Sequence, residues 1–334
     1  MTITRKLLAA RKEVVLKPKN KIESASIYDI LDISNKSRNT LQLLKDIAAK
    51  ELIVKRQEIA GVKCVKFQPN FKLKYFSNTP HHPEILMIYI HGGGFVGGFI
   101  EQGTYFIKAV ERRIGCTCLA IDYDLSPEVL FPHAINQILN VYTEIIKWHK
   151  PNKIILAGES AGGNLGTALL LKLKELNLPM PKMFVNASGF MDLTCSGESH
   201  KNNENTDYSL SLKQLNYMAK AYVVGDDKHN NDYKHLLQNP YVSPVYADVT
   251  GFPPTFFSVC TDELLYSDTI TVVNNYKKAK VKHKLTTNQK CFHAYLIMGD
   301  FFEESKINSN ELARFIKTIF RLKEINLIET NNKK

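Results

Sequence analysis

The segment Gly158-Glu159-Ser160-Ala161-Gly162 places a serine between two glycines, after the apolar run Ile154 to Ala157 and before a Leu- and Ala-rich helical stretch. A strand that turns sharply into a helix holds such a serine in a strained conformation with its hydroxyl at the tip. Gly158 and Gly162 lack a Cβ, so neighbouring chain can pass close by. The helix beyond points free N–H groups and its positive dipole end at the same spot. The chemistry that suits this arrangement is attack by Ser160 on an acyl carbon.

Acyl transfer builds negative charge on the former carbonyl oxygen, and fixed N–H donors stabilise it. His91-Gly92-Gly93-Gly94 follows the apolar run Ile85 to Ile90 and offers such donors. The expected oxyanion hole is the N–H groups of Gly93, Gly94 and Ala161, with His91 and Gly92 shaping the loop. A phosphate cradle is the rival reading, but the Gly-Lys-Ser/Thr ending of a P-loop is missing and the spacing does not fit G-x-G-x-x-G.

A serine hydroxyl needs a histidine to take its proton, and the histidine needs a carboxylate. In α/β-hydrolases the chain order is serine, acid, histidine. Asp262 is the first acid past the apolar run Thr255 to Cys260 and is the expected partner. Glu263 and Asp268 are the fallbacks, and helix-start acids otherwise. His293, beyond a strand beginning near His283, is the expected base. His200, His229 and His235 read as surface residues of a polar insertion, whereas His81, His82, His133 and His149 precede the serine.

These groups need a scaffold. Unbroken apolar runs at 85–90, 116–121, 154–157, 183–187 and 255–260 read as strands covered on both faces. Helical segments at about 134–148, 161–176, 264–279 and 312–322 lie between or after them. The alternation predicts an α/β fold with a mostly parallel, doubly wound sheet. Residues 1–80 read as a cap segment and lead-in, with short strands around Val62 to Phe67. Residues 81–334 read as the catalytic domain, with a cap insertion at about 196–239 carrying a helix near Leu212 to Val223.

The 334-residue chain carries a formal net charge of +11, but its lysines are mixed with acids outside Arg5 to Lys21. A solvated basic surface is expected, with no nucleic-acid partner. The 6 cysteines have neither disulfide-scaffold nor zinc spacing, so free thiols and no metal are expected. Arg11, Lys12 and Glu13 interrupt any apolar signal core, and no apolar stretch of about 20 residues exists to span a membrane. The expectation is a cytoplasmic protein.

Together these motifs resemble the hormone-sensitive-lipase-like family of α/β-hydrolase esterases, from about Glu84 to Leu322. His91-Gly92-Gly93-Gly94-Phe95 is similar to the family's oxyanion motif, and Gly158 to Gly163 to its Gly-Asp-Ser-Ala-Gly-Gly elbow. Asp122-Tyr123-Asp124-Leu125-Ser126-Pro127-Glu128 resembles its Asp-Tyr-Arg-Leu-Ala-Pro-Glu segment, and Ser243-Pro244, Pro253-Pro254 and Asp262-Glu263-Leu264-Leu265 fall in family order. Asp124 departs from an arginine, Glu159 from an aspartate, and Ala294 from the glycine that commonly follows the histidine. The resemblance implies the α/β-hydrolase fold with a helical cap and hydrolysis of small-molecule esters of short to medium acyl chains without a cofactor. Tyr123, Pro127 and Glu128 become supports of the oxyanion side. Phe95, Phe99 and the cap helix near Tyr217 are candidate pocket liners. Gibberellin receptors resemble the same family without its histidine, so a non-catalytic small-molecule receptor is the alternative, against which His293 speaks.

Overall fold

Leu86, Ile88 and Ile90 enter one apolar cluster, while Met87 and Tyr89, alternating with them, enter another. A strand this apolar on both sides has to be covered on both sides. The structure, a computed structural model, describes residues 51–73, 76, 79–225 and 233–322. Its elements run β1 (Leu52–Ile59), β2 (Val62–Pro69), β3 (Leu86–Ile90), α1 (Thr104–Ile114), β4 (Thr117–Asp122), α2 (His133–Ile145), β5 (Ile154–Glu159), α3 (Ala161–Glu175) and β6 (Met183–Ala187). There follow α4 (Glu198–Asn202), α5 (Leu212–Val224), β7 (Thr255–Cys260), α6 (Tyr266–Lys278), β8 (His283–Asn288) and α7 (Glu303–Phe320).

The 8 strands form one sheet in the order β1-β2-β4-β3-β5-β6-β7-β8. β1 and β2 are antiparallel to their neighbours, and from β4 to β8 every pair is parallel. α2 and α3 cover one face through Ile135, Ile138, Leu165 and Leu169. α1 and α7 cover the other through Ile107, Val110, Leu312 and Ile316. The direction of strand addition reverses between β3 and β5, and at such a switch point the loops beyond the carboxyl ends diverge and leave a crevice. The glycine loop after β3 and the serine turn after β5 both open there.

The expected strands β6 and β7 have the expected bounds, and the insertion helix extends by one residue, to Val224. Within the lead-in expected through residue 80, residues 52–69 form the first two strands of the same sheet. The helical rhythm expected before Leu52 and the basic stretch Arg5 to Lys21 lie outside the described residues. Cys64, Cys116, Cys118, Cys260 and Cys291 are buried free thiols, and Cys195 is half-buried. Among the described residues no helix is long and apolar enough to cross a membrane.

The insertion lies against the body. α5 starts with a capping box, in which Ser211 Oγ accepts the Gln214 N–H and Gln214 Oε1 accepts the Ser211 N–H. Its Leu215, Ala219 and Tyr222 are buried in the same cluster as β3 and α3.

Candidate active site

Ser160 sits between β5 and α3 with φ 52 and ψ −122, a positive-φ conformation that side-chain-bearing residues rarely adopt. Such a conformation costs on the order of 1–3 kcal/mol and must be held by its surroundings. The Ser160 N–H donates to Ala187 O at 3.0 Å, and its carbonyl accepts the Gly163 and Phe190 N–H groups, each at 3.0 Å. A Cβ at Gly158 would collide with the Gly162 carbonyl, and one at Gly162 with the Ile90 carbonyl. The elbow therefore closes only with glycine at both places, as its sequence predicts.

The glycine loop is tied to that elbow. The Gly92 N–H donates to Glu159 Oε1 at 2.7 Å, and Gln102 Nε2 donates to the same oxygen at 2.5 Å. Burial pushes the Glu159 carboxyl up, against the hydrogen bonds it accepts. The longer glutamate thus anchors the loop. His91 stacks on Tyr123 at 4.3 Å, and the Tyr123 hydroxyl donates to the His91 carbonyl at 2.9 Å, so both are supports. Gly93 and Gly94 have φ 118 and 62. Among the described residues no backbone carbonyl takes the N–H groups of Gly93, Gly94 or Ala161. A Cβ at Gly94 would strike Met218 of α5, and Phe95 stacks on Tyr222 at 4.0 Å. Phe95 is therefore core, and Met218 is the cap residue that reaches the loop. Phe99 and Tyr217 are half-buried.

The histidine's partner is not Asp262. His293 Nδ1 lies 2.8 Å from Glu263 Oε2, with side-chain exposures of 12% and 1%. Asp262 instead accepts the Thr261 hydroxyl and the Lys290 N–H, each at 2.9 Å. The turn after β7 sends one carboxylate out to the loop and the next one in, where the Cys260 N–H also donates to Glu263 Oε1 at 3.2 Å. Asn203 of the insertion clamps this turn through the Thr261 and Glu263 carbonyls, each at 2.9 Å, and Asp207 accepts the Leu264 N–H at 2.8 Å. Burial raises the Glu263 carboxyl, opposed by His293. Burial alone would lower His293, but the Glu263 hydrogen bond and charge, with Asp207 and Glu159 adding, raise it. The ring is thus a strengthened base held by a buried carboxylate.

Ala294 takes φ 55 and ψ 33, so the loop follows a glycine-type path despite the methyl group. Its N–H donates to Ser188 Oγ at 3.2 Å. Through the Ala187 carbonyl and the Ser188 hydroxyl this segment touches the serine turn on one side and the histidine loop on the other. Asp124 binds Gln137 at 2.8 Å and faces His133 at 3.1 Å, which replaces any arginine contact there, and Glu128 is exposed.

A second histidine departs from expectation. His200 is buried, not superficial, and its Nε2 lies 2.7 Å from Asp268 Oδ1. Asp268 Oδ2 accepts the Met191 and Asp192 N–H groups at 3.0 and 2.9 Å. His235 is exposed as expected, and His229 lies outside the described residues.

The alpha/beta hydrolase fold family matches residues 87–297. An esterase of Acinetobacter venetianus is 31% identical over 235 residues, 70% of this chain and 75% of its own. Human hormone-sensitive lipase is 29% identical over 158 residues, 45% of this chain and 15% of the lipase. A crystal structure of a hormone-sensitive lipase from a metagenome library aligns with a TM-score of 0.79 and 27% identity, covering 96% of this chain and 99% of the other.

Proposed function

Since the chain belongs to the hormone-sensitive-lipase-like family of α/β-hydrolases and is a carboxylesterase-type hydrolase, we propose that it cleaves short to medium acyl esters through Ser160, His293 and Glu263. The observation that carries this reading is the 2.8 Å bond between His293 Nδ1 and the buried Glu263. A carboxylate can only accept, so Nδ1 carries the proton and Nε2 is left as the base.

Ser160 Oγ attacks the ester carbonyl as His293 Nε2 takes its proton. The N–H groups of Gly93, Gly94 and Ala161 stabilise the oxyanion, and Glu263 stabilises the imidazolium. The imidazolium then protonates the leaving alcohol. Water, deprotonated by the same nitrogen, attacks the acyl-enzyme and releases the acid and free Ser160. The sequence needs no metal or cofactor. Met218 packs against Gly94, next to the proposed oxyanion donors.

The test is turnover of p-nitrophenyl butyrate by the purified chain. Ser160→Ala is expected to lower kcat by a factor of about 10⁴ or more. Full activity in that variant, or a phosphonate inhibitor that leaves Ser160 unlabelled, overturns the assignment.

A further inference from the structure

The loop that carries the proposed oxyanion donors runs from the end of β3 toward α1, and both of its ends meet at one oxygen atom. At the near end the Gly92 N–H donates to Glu159 Oε1 at 2.7 Å. At the far end Gln102 Nε2 donates to the same oxygen at 2.5 Å. Gly93 and Gly94 lie between these two ties. Gln102 also gathers the far end itself, because its Oε1 accepts the Phe99 N–H at 3.4 Å. Glu159 immediately precedes Ser160 and is 1% exposed. A Cβ at Gly92 would crowd both the Glu159 carbonyl and the Ser160 Cβ, so loop and elbow already touch at the near end.

We propose that Gln102 is a positioning residue for the reaction: its amide closes the far end of the glycine loop on the glutamate beside the nucleophile, and so sets the Gly93 and Gly94 N–H groups relative to Ser160. The proposal rests on the Ser160–His293–Glu263 reading, with those N–H groups as oxyanion donors, and deepens it. A donor helps only where the charge develops, and a misplacement of about 1 Å can cost a factor of about 10². Without the Gln102 amide, the glutamate holds only the near end. An amide gives with Nε2 and takes with Oε1, and Gln102 uses both. Leucine, of similar size, can do neither. Glutamate at this place keeps the acceptor but has a proton to give only when it is not ionised.

That difference supplies a signature in pH. With Gln102→Glu, two carboxyls share one proton in acid and the tie is made; when both ionise they repel and it opens. The tie is therefore present at low pH and lost as pH rises. Around Glu159 stand Tyr89 of β3, Tyr123 of β4 and His293. Burial pushes both tyrosine hydroxyls up, away from the assay range. Glu101, beside Gln102 in the chain, is paired with Arg56 at 2.8 Å. A new charge acting only on His293 would raise the base and weaken the variant in acid, which is the opposite sign.

The test uses the purified chain and p-nitrophenyl butyrate, with rates counted per phosphonate-labelled site so that unfolded protein does not enter. Gln102→Leu is expected to lose roughly ten- to a hundredfold in kcat with KM within about threefold, because the oxyanion exists only in the transition state. The kcat of Gln102→Glu relative to wild type should be at least about fivefold higher near about pH 6 than near about pH 9. Wild-type kcat in Gln102→Leu overturns the proposal, as does a Gln102→Glu ratio that is flat or falls toward acid. If wild type is no more active than Ser160→Ala, the ester reading fails and this proposal falls with it.

Discussion

Among the described residues two histidines meet a buried carboxylate at nearly equal distance, His293–Glu263 at 2.8 Å and His200–Asp268 at 2.7 Å, and they differ in what surrounds them. The first ring keeps 12% exposure and stands on a loop bound to the strand end beside the serine turn. The second has 1% and 0% exposure, and its carboxylate accepts backbone N–H groups at the start of the insertion. Burial pushes Asp268 up to about 6, against the pull of His200. The contrast separates a histidine–carboxylate pair that keeps some exposure from one that is enclosed and fastens α4 to α6. Only the first is offered the role of base and acid in the proposed reaction.

The sharpest way to break this comparison is at the acids. Glu263→Gln should reduce kcat by about 10³–10⁴ by holding the wrong tautomer of His293, while its neighbour Asp262→Asn stays within about threefold. Equal losses, read in the same ester assay, would return the role to Asp262. Next comes the enclosed pair. His200→Gln leaves Asp268 buried with a neutral partner and should cost about 3 kcal/mol in urea unfolding, with kcat near wild type in the folded enzyme. A tenfold loss of kcat without loss of stability would place His200 in the chemistry. The smallest effect is in pH. The base must be neutral to act, and His293 is raised, so kcat/KM should fall as pH drops through a value above the ordinary imidazole figure of about 6.5. His200→Gln should leave that limb in place; a limb that moves with it would tie the two pairs together.

The serine turn and the glycine loop were legible as structure because a sharp strand-to-helix turn and a close backbone approach demand glycine at fixed places beside strand ends. The acid was not, because Asp262 and Glu263 are adjacent and chain order says nothing about which way a turn points each side chain. A usable signal was present: Glu263 adjoins Leu264 and Leu265, both fully buried, so the chain is already turning inward there. His200 is buried although its segment is polar, because polar composition does not by itself mean exposure. In this segment the polar groups satisfy each other, with Asp192 accepting from Thr194 and Ser196, and Ser199 contacting Ser267. The strands at 52–69 were hard to place since only part of each faces the core: in β1 Leu52 is buried, whereas residues 53–56 and 58 are exposed.

One face of α5 touches both Gly94, through Met218, and Phe95, through Tyr222. Helix and glycine loop are thus packed as one unit, and a change of side chain at Met218 or Tyr222 is expected to be felt in the backbone of residues 93–95.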